Sequence, residues 1–263
     1  MTRVAAKEAK AMAEGNNNGP LSGMVIAVAG AGGPAGKATL RHLAESGAQV
    51  VAADANPERL AEAVDAARYA GGGAYITGES VDLLDPAAAR DWADRTEKQC
   101  GRVDGLVHLV GGWRGSATFP ETSLEDWTVL NDLLVRTVQH TSLAFHDALL
   151  RSSAGRYVLI SQSGATKPTA GNAAYAAAKA AAEAWTLALA DSFRKAGGDS
   201  GPTAAASIIV IKALVHDEMR AQKPNAKFAG FTDVNDLAQA IGGVWSRPAE
   251  EVNGTRLWLT PQP

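Results

Sequence analysis

Tyr175 and Lys179 stand four residues apart in AAYAAAKAAAEAW, a stretch built otherwise almost wholly from alanine. Alanine is the strongest helix former, and on a helix residues i and i+4 share a face. One face therefore carries a phenol and an ammonium, groups able to move a proton to or from an oxygen and to steady the charge that results. Taken alone the pattern is weak, and a solvated lysine beside a half-buried tyrosine satisfies it as well. A second stretch, AGAGGPAGK (29–37), has glycines at Gly30, Gly32, Gly33 and Gly36. Small residues let backbone approach a pyrophosphate, and a helix starting there offers free N–H groups and the positive end of its dipole. Asp54 closes the next apolar run. A carboxylate there can accept from a ribose 2′-hydroxyl and repels a 2′-phosphate; capping the following helix is its structural alternative. Asp82, in SVDLLD, divides equally between accepting from an adenine amine and capping a helix. Gly111 and Gly112 end a later apolar run, either against a ligand or in a plain turn.

These groups need a frame, and the chain supplies a regular one. Short apolar runs at 24–30, 48–54, 74–77, 103–112, 155–161, 206–211 and 255–259 read as strands, mostly buried on both faces. Helical spacing fills the gaps: 34–47, 57–70 with Pro57 in its first turn, 86–100, a long helix from Ser123 to about Arg151, 171–195, and 232–245. Ser123 with Asp126 resembles a capping box, and Thr232 reads as the cap of the last helix. Strand and helix alternate with no long linker. The reading is an α/β protein with one domain over 20–263, a parallel sheet covered by helices on both faces, preceded by a polar tail at 1–19. Such sheets bind ligands beyond the carboxyl ends of their strands, where the residues above fall.

Composition narrows the classes. Hydrophobic residues make up 46% and charged residues 20%, with a net charge of −3 and no basic stripe, so nucleic acid is not an expected partner. Cys100 is the only cysteine, which excludes an internal disulfide and a cysteine-built metal site; no metal is expected. No apolar run is long enough to span a membrane, and the N-terminus lacks a signal-peptide core. A cytoplasmic location is the expectation.

The ordered set now on the page resembles the short-chain dehydrogenase/reductase family, over about residues 20–263: a glycine loop after strand one, an acid ending strand two, aspartate after strand three, glycine after strand four, serines after strand five, then Tyr-x-x-x-Lys. The resemblance implies a single Rossmann-like domain, doubly wound around a seven-stranded parallel sheet. It implies an NAD(P)-dependent oxidoreductase that interconverts a small alcohol and a carbonyl by hydride transfer, with NAD(H) favoured by Asp54 and NADP(H) open. Tyr175 would be the acid/base, Lys179 would lower its pKa and bond the nicotinamide ribose, and Ser163 or Gln162 would orient the substrate oxygen. Gly30, Gly32, Gly33, Ala35, Gly36, Asp54, Asp82, Leu83, Gly111, Lys179 and Leu214 would hold the cofactor. A homodimer or homotetramer through helices 123–151 and 171–195 is implied, as is a small-molecule substrate.

The chain departs from the family's pattern at several places. Pro34 replaces a loop glycine and has no N–H to offer a phosphate. The usual Asn-Asn-Ala-Gly is His108-Leu109-Val110-Gly111; His108 reads as a packed strand residue rather than a catalytic one. The family's catalytic asparagine falls at Leu134, Asn131 being almost a turn earlier, and its serine falls at Gln162, flanked by Ser161 and Ser163. Restoring asparagine at 134 is expected to raise a redox rate or leave it unchanged. After strand six the family's Pro-Gly is Lys212-Ala213-Leu214, opening a lid-like stretch to 230, and Trp113, Arg114 and Phe119 would form the opposite wall. These losses motivate the alternative, a protein of this fold without redox activity: a cyclase, a dehydratase or a ligand-binding subunit.

Overall fold

The computed structural model describes residues 19–70 and 75–262. The polar tail read over 1–19 lies outside them except for its last residue, as does Ala74.

Seven strands form one parallel sheet: β1 (Val25–Ala29), β2 (Gln49–Asp54), β3 (Ile76–Ser80), β4 (Gly105–His108), β5 (Arg156–Gln162), β6 (Ala205–Ile211) and, at its far edge, β9 (Arg256–Trp258). Their order is β3-β2-β1-β4-β5-β6-β9, so the chain winds outward from β1 in one direction and then the other. The connections are α1 (Pro34–Glu45), α2 (Pro57–Ala70), α3 (Pro86–Cys100), α4 (Leu124–Asn131) continuing into α5 (Thr137–Arg151), and α6 (Ala173–Gly197). A small excursion holds a second, two-stranded sheet, β7 (Leu214–Val215) with β8 (Thr232–Asp233), around α7 (Asp217–Gln222). α8 (Val234–Gly243) and α9 (Ala249–Val252) lead back to the sheet.

Alternation along the strands builds two cores. Ile26, Val28, Val50, Ala52 and Val158 face Leu40 and Leu43 of α1, Leu60 and Val64 of α2, and Leu237 and Ile241 of α8. Their neighbours Ala27, Val51, Ala53, Leu106 and Tyr157 face Trp92 of α3, Phe145 and Leu149 of α5, and Phe193 of α6. Each large side chain fully buried in this way contributes roughly 1.5–3 kcal/mol. Both faces of the central strands β1, β2, β4, β5 and β6 are thus covered, which leaves their ends as the places for ligands.

Four local expectations need correction. β3 runs two residues later than the apolar pattern suggested, because Val50 N–H pairs with the carbonyl of Tyr75 and sets the register there. β4 stops at His108, four residues short of 112, since past Leu109 there is no strand ladder to follow. Asp233, not Thr232, caps α8, its side chain accepting from Asn235 N–H at 2.8 Å while Thr232 pairs in β8. The long helix from Ser123 is interrupted by a π turn over Asp132–Arg136, in which Thr137 N–H reaches back to the Asp132 carbonyl. Single π turns gather at functional sites, and this one lies beside the face of α6 that carries Tyr175.

Candidate active site

Tyr175 and Lys179 lie in the first two turns of α6, on the face turned toward the carboxyl ends of β4 and β5. Lys179 is buried, and its Nζ donates to the Ile160 carbonyl at 2.8 Å, which ties the helix to the end of β5. Its Nζ lies 5.9 Å from the centre of the Tyr175 ring. Burial lowers the Lys179 ammonium to about 8, a fall that the Glu183 carboxylate opposes. Burial raises the Tyr175 phenol to about 12, so it holds its proton at neutral pH.

The serines separate. Ser161 is fully buried, and its hydroxyl donates to Glu183 Oε1 at 2.5 Å, away from the cleft. Gln162 spends its amide on the loop: Nε2 donates to the Lys212 carbonyl at 3.0 Å and Oε1 accepts from Gly164 N–H at 2.5 Å. Ser163 opens the short turn that follows, and among the described residues no hydrogen bond engages its hydroxyl. Of the three, only Ser163 has a side chain with no hydrogen-bond partner among the described residues, while the Gln162 amide keeps one of its two N–H groups.

Leu134 occupies the π turn, 1% exposed, packed with Leu130, Val135 and Ala178 and flanked by Trp127 and Tyr175. The Leu133 carbonyl in the same turn accepts from the Thr137 hydroxyl at 2.7 Å. His108 is the packed strand residue that its sequence suggests. It is buried between the hydroxyls of Thr137 and Thr141, 3.2 and 3.1 Å from its two ring nitrogens, and burial, with the Lys179 charge second, lowers its pKa to about 3.

The other end of the cleft can hold a phosphate-bearing ligand. Gly30 has φ +79°, and a Cβ there would lie 2.7 Å from the Val110 nitrogen, so only glycine lets the loop cross the end of β4. Gly33 precedes α1 with no side chain capping the helix, which leaves the first-turn N–H groups of Ala35 and Gly36 without a side-chain acceptor; Pro34 contributes none. Asp54 is buried, with Oδ2 accepting from Gly32 N–H and Oδ1 from Asn56 N–H, both at 2.9 Å. With the long bond from Arg59 to Oδ1, about one of four acceptor positions remains on this carboxylate. Arg59 stands 3.5 Å from Oδ1 at the rim. Capping of α2 falls to Asn56, which accepts from Arg59 N–H. Asp82 accepts from Leu84 N–H in a tight turn, while Asp85 caps α3. Leu83 is buried, and its carbonyl accepts from His140 Nδ1 at 2.8 Å. Gly111 lies over Leu134, whose Cδ2 is 3.4 Å from where a Cβ would be. Leu214 sits in β7, packed toward Ala38 and Val234.

On the substrate side Trp113 and Phe119 are largely exposed, whereas Arg114 turns to Asp126 at 3.5 Å. Across the cleft, Lys212 Nζ donates to the Ala229 carbonyl at 3.3 Å and closes the excursion around α7 on itself. Phe228 and Phe231 meet there edge to face. Sequence reasoning does not single out Glu183, although the step of four that joins Tyr175 to Lys179 leads on to it.

Comparison with known proteins finds relatives of one family. A family model described as short chain dehydrogenase matches residues 24–197. The chain is 29% identical over 169 residues to 2,3-dihydro-2,3-dihydroxybenzoate dehydrogenase of Bacillus subtilis, a match covering 64% of each chain. It is 31% identical to 2,5-dichloro-2,5-cyclohexadiene-1,4-diol dehydrogenase LinX of Sphingobium indicum, over 66% of this chain and 68% of that one. Its fold superposes on a short chain oxidoreductase of Pseudomonas aeruginosa PAO1, described as containing an atypical catalytic center, with TM-score 0.81 and 24% identity over 91% of this chain and 97% of that one.

Proposed function

The chain belongs to the short-chain dehydrogenase family, and from that premise we propose that it oxidises a secondary alcohol, or reduces the matching ketone, with a nicotinamide cofactor. The observation that carries this is the Tyr175–Lys179 face, with Lys179 buried and anchored to the Ile160 carbonyl, on a helix that packs against the turn Ser163–Ala165. A bound nicotinamide supplies the hydride acceptor or donor. The chain's own residues manage the proton. Tyr175, protonated at neutral pH, donates to the substrate oxygen in reduction and takes the proton back in oxidation. Lys179, charged below about pH 8, stabilises the phenolate that oxidation requires. Ser163 donates to the same oxygen and fixes its position. Leu134 and the bond from Thr137 to the Leu133 carbonyl keep the back of the site apolar, so the protons stay on Tyr175 and Lys179.

Asp54 favours NAD, because its remaining acceptor position suits a ribose hydroxyl and its charge repels a 2′-phosphate. Arg59 at the rim tempers that repulsion. Exposed Trp113 and Phe119 support a flat, apolar substrate, and the two relatives named above, both dehydrogenases of ring diols, support an alcohol on a six-membered ring. Exposed Leu124 and Leu143 on α4 and α5 support association of copies through these helices and α6, which light scattering reads directly. The non-redox alternative is not favoured: a binding subunit has no need of both Tyr175 and a buried Lys179.

The test is titration with NADH and NADPH, followed by turnover on cyclic alcohols and ketones. Tyr175→Phe is expected to keep cofactor binding and remove turnover; undiminished turnover would overturn the assignment.

A further inference from the structure

A charged trio lies behind Lys179. Glu183 is 2% exposed, one turn further along α6 than Lys179 and on the same face. Its Oε1 accepts from the buried Ser161 hydroxyl at 2.5 Å, and its Oε2 accepts from Arg256 Nε at 2.7 Å. Ser161 follows Ile160, whose carbonyl holds the Lys179 ammonium. Arg256 comes from β9, beyond residues 24–197. A fully buried carboxylate is costly unless paired. One cation would neutralise this one, yet it has Arg256 in contact and Lys179 a turn away.

We infer that Glu183 is a positioning residue for the proton chemistry: its carboxylate is the buried counter-charge that keeps Lys179 an ammonium, and through Ser161 it fixes the end of β5 that receives Lys179, while Arg256 sets how much of that negative charge Lys179 feels. This rests on the assignment of Lys179 made above. The charged and titratable groups facing Lys179 are few. Tyr175 and Glu183 lie on its own helix, His108 faces it from β4, and Arg256 acts from β9 through Glu183. His108 is neutral at physiological pH, so Glu183 is the one anion of the set while Tyr175 keeps its proton.

The anion and its paired cation make opposite predictions. Glu183→Gln keeps the shape and can still bond Ser161 and Arg256, but removes the charge. A unit charge one helical turn away in a poorly solvated site is worth about one pH unit or more, so Lys179 should lose its proton at a pH lower by about that amount. Arg256→Met leaves Glu183 un-neutralised and should raise the Lys179 titration. The measurement is an NMR titration of the whole protein labelled at lysine Cε, with the Lys179 signal assigned by its loss in Lys179→Arg. The pH profile of turnover accompanies it. The expected result is a downward shift in Glu183→Gln, an upward shift in Arg256→Met, and an alkaline limb of activity that moves with each. A purely structural role would instead lower activity equally at every pH. An unmoved Lys179 titration in a folded Glu183→Gln overturns the inference. Should that variant not fold, Arg256→Met decides by the sign of its shift. Titration shifts in a protein that turns nothing over would refute the redox reading and leave the counter-charge standing.

Discussion

Replacing Leu134 with asparagine restores the family's usual residue, and from sequence alone it is expected to help a redox rate or do nothing. The structure predicts the opposite. Leu134 is 1% exposed within an apolar cluster of Leu130, Val135 and Ala178, and its Cδ2 supports the loop at Gly111. Leu134→Asn forfeits about 1.5–3 kcal/mol of apolar burial. It also buries an amide among hydrocarbon, which costs about 1–3 kcal/mol when unpartnered. The sum is roughly 2.5–6 kcal/mol, comparable to large-to-small substitutions in cores. For a domain of this size that is a fall in Tm of about 5–12 °C, at roughly 2 °C per kcal/mol. Because Tyr175 flanks the same cluster, turnover should fall with stability rather than rise. Thermal unfolding followed by circular dichroism reads the first effect and steady-state kinetics the second. Leu134→Met, which keeps the volume, should cost less than about 1.5 kcal/mol and serves as the control. A melting point for Leu134→Asn within 2 °C of the parent would show that the amide finds partners there, and the account of this pocket would fail.

His108 makes stability depend on acid. Below pH 6.5 the unfolded chain takes up a proton that the buried ring, with a pKa of about 3, refuses, so stability falls as pH drops from 6.5 toward 3. The loss is about 2 kcal/mol at pH 5, and His108→Gln should flatten the slope of denaturant-derived stability over that window; an unchanged slope would place the acid sensitivity elsewhere. Pro34→Gly adds an N–H at the start of α1. If a phosphate lies there, one charge-assisted bond is worth about 1.5–3 kcal/mol, or about 10- to 100-fold tighter NADH binding by calorimetry, against about 1 kcal/mol lost from the free protein. Unchanged affinity would move the phosphate away from residue 34. Arg59→Ala should weaken NADPH several-fold more than NADH, since its charge faces Asp54 at the rim; an equal effect on both would remove Arg59 from cofactor choice.

Much of this protein follows from short-range pattern. Apolar runs that alternate with helical spacing point to a parallel sheet covered by helices on both faces, because a strand buried on both faces and a helix buried on one have different periods. The glycine loop follows β1 and opens α1, and Tyr175 shares a face with Lys179, because both depend only on residues within two turns of each other. What lies within reach of those residues is another matter. Asp82 and Asp85, Asp54 and Asn56, Thr232 and Asp233 are equally good caps on paper; the register of the sheet and the packing of each helix choose Asp85, Asn56 and Asp233. The π turn at 132–136 differs from ordinary helix by one step in its hydrogen bonds, too small a change for hydrophobic spacing to record. Leu134 reads as a lost asparagine until its neighbours are known. Gln162 and Ser163 read as equal donors until the Gln162 amide is seen tethered to Lys212 and Gly164, which leaves Ser163 the less committed of the two. Glu183 meets Arg256 across 73 residues of sequence. Such pairings arise where separate strands and helices converge, so the periodicity of no single segment contains them.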